Sequence, residues 1–284
     1  RDNHAIVGDQ SGFGITEEKI TSFDLNYIYR SPTVKARLTG YFTKMQDANE
    51  VSFYYADGIS GVDSGTAFVQ EVLEGIDKRY LGIEFGIEAQ VTPTIKLTGV
   101  ASVGQYTYDN NPNLLLTSSD FTDGLNFGEA NLKDYKIAGG PQRAASVGFE
   151  YRDPNYWWFG TTANFMSNAY VDVSPLTRTK NFYLDTDGFP FPDYDPTLAK
   201  ELLRQEKFDS YMVWNAVGGK SWKVGNKYIS LFVSLNNILN TQFKTGGFEQ
   251  GRNANYQTLK EDTSTRKRRF GPKYWFGRGT TYFM

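Results

Sequence analysis

The 284-residue sequence predicts an all-β fold, a portion of an antiparallel transmembrane β-barrel made of about nine strands. Three observations predict it. Apolar and polar residues alternate over stretches longer than the five or six residues usual for strands in globular proteins. Very short connections alternate with long polar ones along the whole chain. Aromatic residues cluster beside the short connections, as at the interfacial girdles of a barrel.

The strands are read near 18–30, 34–55, 66–91, 95–108, 136–152, 156–173, 209–224, 228–243 and 273–284. In the second, Val34, Ala36, Leu38 and Phe42 oppose Lys35, Arg37, Thr39 and Thr43. In the third, Leu81, Ile83, Phe85 and Ile87 oppose Gly82, Glu84, Gly86 and Glu88. Ala145, Val147, Phe149 and Tyr151 share one face of the fifth, and Ile229, Leu231, Val233 and Leu235 one face of the eighth. Each strand thus carries one apolar and one polar face, the charges of the polar face pairing across neighbouring strands and facing a water-filled lumen. Several exceed the roughly 9–11 residues that cross a bilayer, so the wall extends past the membrane.

Ser31-Pro32-Thr33, Thr92-Pro93-Thr94, Asp153-Pro154-Asn155 and Gly225-Asn226-Lys227 form tight turns, because proline presets and glycine permits the dihedrals required. Between them lie long connections near 56–65, 109–135, 174–208 and 244–272. This is the alternation of periplasmic turns and extracellular loops. Tyr27, Tyr29, Tyr151, Tyr156, Trp157, Trp158, Trp222 and Tyr228 form a belt at the turn end. Phe53, Tyr54, Tyr55, Tyr106, Tyr108, Tyr170 and Tyr211 form a second belt at the loop end. One helix is expected, around Pro196–Gln205, with Asp195 as its N-cap. Single-chain bacterial barrels have an even number of strands, so nine mark part of a larger barrel. Arg1–Ile15 reads as loop leading into a strand.

Mean hydropathy is −0.49, which a barrel tolerates because only alternate residues of a spanning strand meet lipid. No apolar run is long enough for a membrane helix. A net charge of −2 argues against a nucleic-acid partner. With no cysteine, disulfides and thiolate metal sites are excluded, and His4 is the only histidine. No signal peptide precedes Arg1, so an exported protein requires one upstream.

Further segments carry a family resemblance. They run from Pro141-Gln142-Arg143-Ala144 through Gly148-Phe149-Glu150-Tyr151-Arg152-Asp153-Pro154 to Tyr156-Trp157-Trp158 and Gly218-Gly219-Lys220-Ser221-Trp222. They continue with Asn236-Asn237-Ile238-Leu239-Asn240, Thr245-Gly246-Gly247-Phe248-Glu249-Gln250 and Lys273-Tyr274-Trp275-Phe276-Gly277-Arg278-Gly279-Thr280-Thr281-Tyr282-Phe283. The chain resembles the TonB-dependent receptors of Bacteroidetes, closely from about residue 136 onward and more loosely over 18–108. The resemblance implies a 22-stranded outer-membrane barrel with an N-terminal plug, energised by TonB, with a surface lipoprotein as a further partner. The sequence departs from the family pattern in lacking a recognisable TonB box and plug. It also ends at Met284 rather than on the usual aromatic.

Candidate site residues are few. Asp185, Asp187 and Asp193 offer oxygen ligands for a structural calcium ion, the one cofactor considered, against an acidic solvated loop. Arg266, Lys267, Arg268 and Arg269 form a basic run that could meet lipopolysaccharide phosphates, against a solvated loop segment. Gly218-Gly219-Lys220-Ser221 imitates a phosphate-binding loop but sits between strand and turn, with Trp214 where a glycine is needed. No nucleophile–base pair and no catalytic carboxylate pair stands out, so an enzyme is not expected. Uptake of a nutrient such as a siderophore, glycan, peptide or cobalamin is the leading expectation. A scaffold subunit of an outer-membrane assembly and a soluble glycan-binding module are the alternatives, and the sequence names no substrate.

Overall fold

The computed structural model describes residues 17–62, 66–250 and 255–284. His4 and the expected entry loop Arg1–Ile15 lie outside them. Among the described residues nine strands form one continuous antiparallel wall: β1 (Lys19–Arg30), β2 (Val34–Asp57), β3 (Thr66–Gln90), β4 (Ile95–Tyr108), β7 (Arg143–Arg152), β8 (Trp157–Ser167), β9 (Tyr211–Val224), β10 (Lys227–Asn236) and β13 (Thr281–Phe283). Each wall strand pairs with the wall strand before it, and the wall does not close on itself. The hairpin β5 (Asn113–Ser118) and β6 (Phe121–Glu129) extends the upper part of β3. The pair β11 (Lys244–Phe248) and β12 (Lys273–Phe276) forms a separate small sheet.

The pairing register places the predicted apolar faces side by side. Phe23 lies opposite Phe42, which lies opposite Leu81; Tyr27, Leu38, Phe85 and Ala101 form a parallel row. Ile83 is 59% exposed and Leu231 47%, so this apolar surface is a band turned outward rather than a sandwich core. On the other face the charges alternate in sign across four strands. Lys35 pairs with Glu88 (3.6 Å), Glu88 with Lys96 (3.8 Å), Lys96 with Glu150 (3.6 Å) and Glu150 with Arg152 (2.5 Å). Among the described residues no helix is long and apolar enough to cross a membrane, which says nothing against strands.

The belt at the turn end is present. Tyr151 packs on Trp157 at 5.0 Å and Tyr156 on Tyr228 at 5.8 Å, all beside the turns. The belt expected at the loop end is present only in part: Phe53 and Tyr55 are exposed, but Tyr54 is half-buried, Tyr108 is buried inside a packed core, and Tyr106 hydrogen-bonds Tyr41 at 2.6 Å. Tyr106 and Tyr108 lie on the inner face of β4, and Tyr54 is turned inward by a pair of bulges. The β2–β3 register shifts between Met45 and Ala48 and again between Ala48 and Glu50, with Asp47 and Gly75 at positive φ. One extra residue in a strand reverses which face each later side chain points to. Below the bulges the apolar residues face outward. Above them Ala48, Ala56, Val69, Leu73 and Ile76 are buried on the opposite side.

The end of the chain departs from the expected single strands over 228–243 and 273–284. Strand β10 stops at Asn236, and Asn237 and Asn240 both adopt φ +50, a conformation asparagine tolerates better than most residues. Asn237 then accepts from the Thr241 N–H at 2.9 Å and donates to the Thr241 and Arg278 carbonyls. Strands β12 and β13 are separated at Gly277, where a Cβ would lie 2.1 Å from the Phe243 ring. The asparagine run is thus the pivot that turns the chain out of the wall and docks its last segment.

Candidate functional site

Three of the four long connections, 109–135, 174–208 and 244–272, fold together into one cap at the loop end of the wall, and Ile59 of the fourth lies in its core. Connection 109–135 carries the β5–β6 hairpin, whose Leu114 and Leu116 are fully buried with Ile59, Val69, Leu73, Leu132 and Leu176. Burying each such side chain contributes about 1.5–3 kcal/mol, enough to order a loop that composition alone reads as polar. Connection 174–208 carries the expected helix, here α1 (Pro196–Leu202), with the Asp195 carboxylate accepting the Thr197 N–H at 2.8 Å. Connection 244–272 carries a helix the sequence reading missed, α2 (Tyr256–Thr263), capped by Asn255. Tyr256 is fully buried against Phe182, Phe191 and Tyr194, which joins the two helices.

One side chain links all three connections. The Arg178 side chain is 1% exposed and makes a two-pronged pair with Glu249, one contact measuring 2.9 Å. The same guanidinium donates to the Leu203 carbonyl at 2.8 Å and lies 5.0 Å from the Tyr135 ring centre. The Arg178 carbonyl accepts the Asn131 N–H at 2.9 Å. Nothing in the polar stretch Pro175–Lys180 marks Arg178 in the sequence, because its partners come from connections about 45 to 70 residues away.

A second buried carboxyl lies beneath it. Glu71 is 4% exposed, accepts the Tyr54 hydroxyl at 2.7 Å, and is held by the Leu176 backbone N–H. Burial pushes its pKa up to about 7, opposed by the Tyr54 hydrogen bond and reinforced by Asp172 and Glu50. Nearby, burial followed by repulsion from Glu50 and Glu249 raises Asp172.

The cap encloses two spaces. One, of about 810 Å³, lies between α1 and the segment that follows α2, with Glu201, Arg204, Glu249, Asp262, Arg268 and Phe270 on its walls. The other, of about 330 Å³, lies where β2, β3 and β4 meet the cap, beside Glu50, Lys78, Tyr108, Asp172, Phe208 and Trp275.

The predicted residues fall as follows. Asp185 closes a turn by accepting the Phe189 N–H at 2.8 Å, and Asp193 pairs with Lys260 at 2.5 Å. The structure does not bring Asp185, Asp187 and Asp193 together; among the described residues no three acidic or imidazole groups could hold a metal. Arg266, Lys267, Arg268 and Arg269 are exposed on the cap, and Arg268 borders the larger cavity. Their loop is held by Asp262, whose two carboxylate oxygens accept the Arg269 and Phe270 N–H groups at 2.7 and 3.0 Å. Gly218-Gly219-Lys220-Ser221 lies within β9, where Gly219 makes room for the Trp158 ring rather than for a phosphate.

The family model for the TonB-dependent receptor-like β-barrel matches residues 7–238. The chain belongs to that family. Receptors of this kind are outer-membrane proteins of Gram-negative bacteria, and the open wall described above is a part of such a barrel. Among solved structures, this receptor barrel is similar to Pseudomonas aeruginosa FpvA bound to heterologous pyoverdines, with a TM-score of 0.51 and 12% identity over 97% of this chain and 28% of that one. It is similar to the ferripyoverdine receptor of the outer membrane of Pseudomonas aeruginosa, with a TM-score of 0.50 and 11% identity over 97% and 28%. The copper transporter OprC gives 0.49 and 16% over 94% and 31%. At these identities the likeness concerns the fold alone. The chain spans under a third of the length of these structures. No curated protein sequence matches it.

Proposed function

We propose that this chain supplies barrel wall and external binding surface to an outer-membrane receptor that imports a nutrient with energy delivered through TonB. The observation that carries the reading is the cap. Connections 109–135, 174–208 and 244–272 converge on Arg178 at the end of the wall opposite the short turns and leave two cavities there. Loops ordered on a rigid barrel are suited to recognise a solute. Binding and transport, rather than catalysis, are what this arrangement serves.

In this reading the wall is completed by strands from the rest of the protein, which also supplies the plug, the surface that meets TonB and any lipoprotein partner. The Bacteroidetes lineage is supported by the Asn236–Asn240 and Thr245–Gln250 segments. The reading assigns the basic run Arg266, Lys267, Arg268 and Arg269 to lipopolysaccharide phosphates, which its exposure on the cap supports.

The test is uptake. In the native bacterium, deleting the receptor gene should abolish accumulation of one growth-limiting solute, and removing TonB should have the same effect. Unchanged uptake of every limiting solute, with stable co-purification with secretion proteins, would overturn the proposal in favour of a scaffold. The purified receptor should also need detergent to stay dispersed, because the outward apolar band has no other cover.

A further inference from the structure

The cavity of about 330 Å³ between the wall and the cap is walled by rings and contains one carboxylate without a counter-ion. Its charged groups do not cancel. Lys78 is committed to Glu50 and lies 5.6 Å from the Tyr108 ring centre. Arg178, the nearest buried cation, is committed to Glu249. Among the described residues no lysine or arginine lies within ion-pair distance of Asp172. Yet Asp172 is fixed in place, because its N–H donates to the Gly247 carbonyl and its carbonyl accepts the Glu249 N–H, both at 2.8 Å. Rings of Tyr108, Tyr170, Phe208 and Trp275 border the same space, and the Gly139-Gly140 and Gly246-Gly247 pairs keep it open.

The cap shows next door what such a lining holds. The Lys244 ammonium lies 3.6 Å from the Tyr274 ring centre and 5.4 Å from that of Phe208, with Glu206 at 2.7 Å. That is an ammonium held by a carboxylate and two aromatic faces, an arrangement favoured by electrostatics and by partial desolvation. Phe208 borders both spaces. Its neighbour pocket has the rings and two carboxylates, and its one ammonium, Lys78, is paired with Glu50, which leaves Asp172 without one.

We infer that this second pocket binds the cationic end, an ammonium or guanidinium group on an apolar stem, of an organic ligand, with Asp172 as its counter-ion and the surrounding rings as its walls. The inference rests on the proposed role of the cap in recognition and adds the ligand class. A volume of about 330 Å³ is at the small end of ligand sites, so one basic group and its stem fill it.

The experiment uses the complete receptor in detergent, titrated with N-acetyl-lysine methylamide and with N-acetyl-norleucine methylamide, which has nearly the same shape without the charge. Tryptophan fluorescence reports the binding, since Trp275 borders the pocket. The lysine compound should saturate with at least tenfold greater affinity than the norleucine compound. Asp172→Asn, which can still accept the Val173 N–H, should remove that preference, whereas Lys267→Ala on the cap surface should keep it. Equal binding of both compounds, binding of neither, or an unchanged preference in Asp172→Asn would overturn the inference. Saturation by calcium alone, in competition with the lysine compound, would also overturn it in favour of an inorganic cation. Because no transport is measured, a receptor that binds the cation but imports nothing would refute the uptake reading and leave this one standing.

Discussion

Replacing Arg178 by methionine should loosen the cap while leaving the wall intact. The arginine side chain is 1% exposed and its partner Glu249 17%, so both charges are largely removed from water. Without the guanidinium, the largely buried Glu249 carboxylate keeps the Ser174 N–H but loses its counter-ion, and the Leu203 carbonyl keeps only the Tyr135 hydroxyl, a loss of about 3–5 kcal/mol for one half of a buried pair. At about 1.4 kcal/mol per decade, amide exchange over 174–208 and 244–250 should quicken roughly a hundred- to a few thousandfold. Hydrogen exchange followed by mass spectrometry on the detergent-solubilised receptor measures this segment by segment. Strand β3 between Leu81 and Gln90, hydrogen-bonded on both sides in the wall, should keep its protection. The double change Arg178→Met with Glu249→Met should recover most of the loss, because an apolar pair of similar size no longer strands a charge. Exchange within threefold of the parent in the single variant would refute the central place given to Arg178. Equal loosening of the β3 segment would refute the separation of cap from wall.

Glu71 makes the cap pH-sensitive. Its carboxyl titrates near 7 when folded and near 4.3 when unfolded, so it favours the folded cap most below about pH 4.5 and loses that contribution, about 3 kcal/mol, as pH rises to 7. Proteolysis of the 174–208 connection should therefore quicken between pH 5 and 8 in the parent, and Glu71→Gln should flatten the change; a parent with no pH dependence there would contradict the assignment. Asp262→Ala leaves the Arg269 and Phe270 N–H groups without acceptors, at about 1–3 kcal/mol, so trypsin should cut the 266–269 run several-fold faster. Asn237→Ala removes three side-chain hydrogen bonds at φ +50 and should cost about 2–3 kcal/mol, read as a lower unfolding temperature; Asn237→Gly, which keeps the backbone but not the bonds, should recover only the conformational part.

The wall was legible in the sequence because its determinants are local. A period of two over Leu81–Ile87 and the prolines and glycine at the four turns specify nine strands and their order without any long-range information. Helix α1 was legible for the same reason, since Asp195, Pro196 and the leucines after it lie within one short stretch. The cap was not. Leu114, Leu115 and Leu116 form a three-residue apolar run with no period to read, and their burial depends on β3 and on Leu176 about 60 residues later. Helix α2 spans eight residues with only Tyr256 and Leu259 turned toward the other helix, too few for a helical stripe. Asp172 reads as the polar end of the sixth strand and Glu249 as an ordinary loop acid until the bridge between their segments sets them side by side. The aspartates that did attract notice, Asp185 and Asp193, are used for a turn and for Lys260.

The bulges at Asp47 and Gly75 join the two parts and explain why a single pair of strands can serve both. A continuous β2–β3 ladder would turn Val69 and Leu73 outward in phase with Leu81 and Ile83. Shifting each strand by one residue turns Val69 and Leu73 to the opposite side, with Ile76, just where the band of Phe42 and Leu81 ends. The shift is held by short bonds: the Asp47 N–H donates to Asp77 at 3.2 Å, the Asp77 N–H to Asn110 at 2.9 Å, and Asn110 to the Gly75 carbonyl at 2.7 Å. Asn110 belongs to the connection that builds the cap, so the residue that secures the reversal also marks where the cap begins. The same two strands therefore present apolar side chains outward over the wall and on both faces beside the cap, where Phe53, Tyr55 and Phe68 stay exposed. Glu50 and Lys78 lie directly at the crossover, on the floor of the pocket that contains Asp172. A rigid wall fixes that floor while the loops above supply the remaining walls, so the pocket should vary among relatives through Asp172, Phe208 and Trp275 rather than through Glu50 and Lys78.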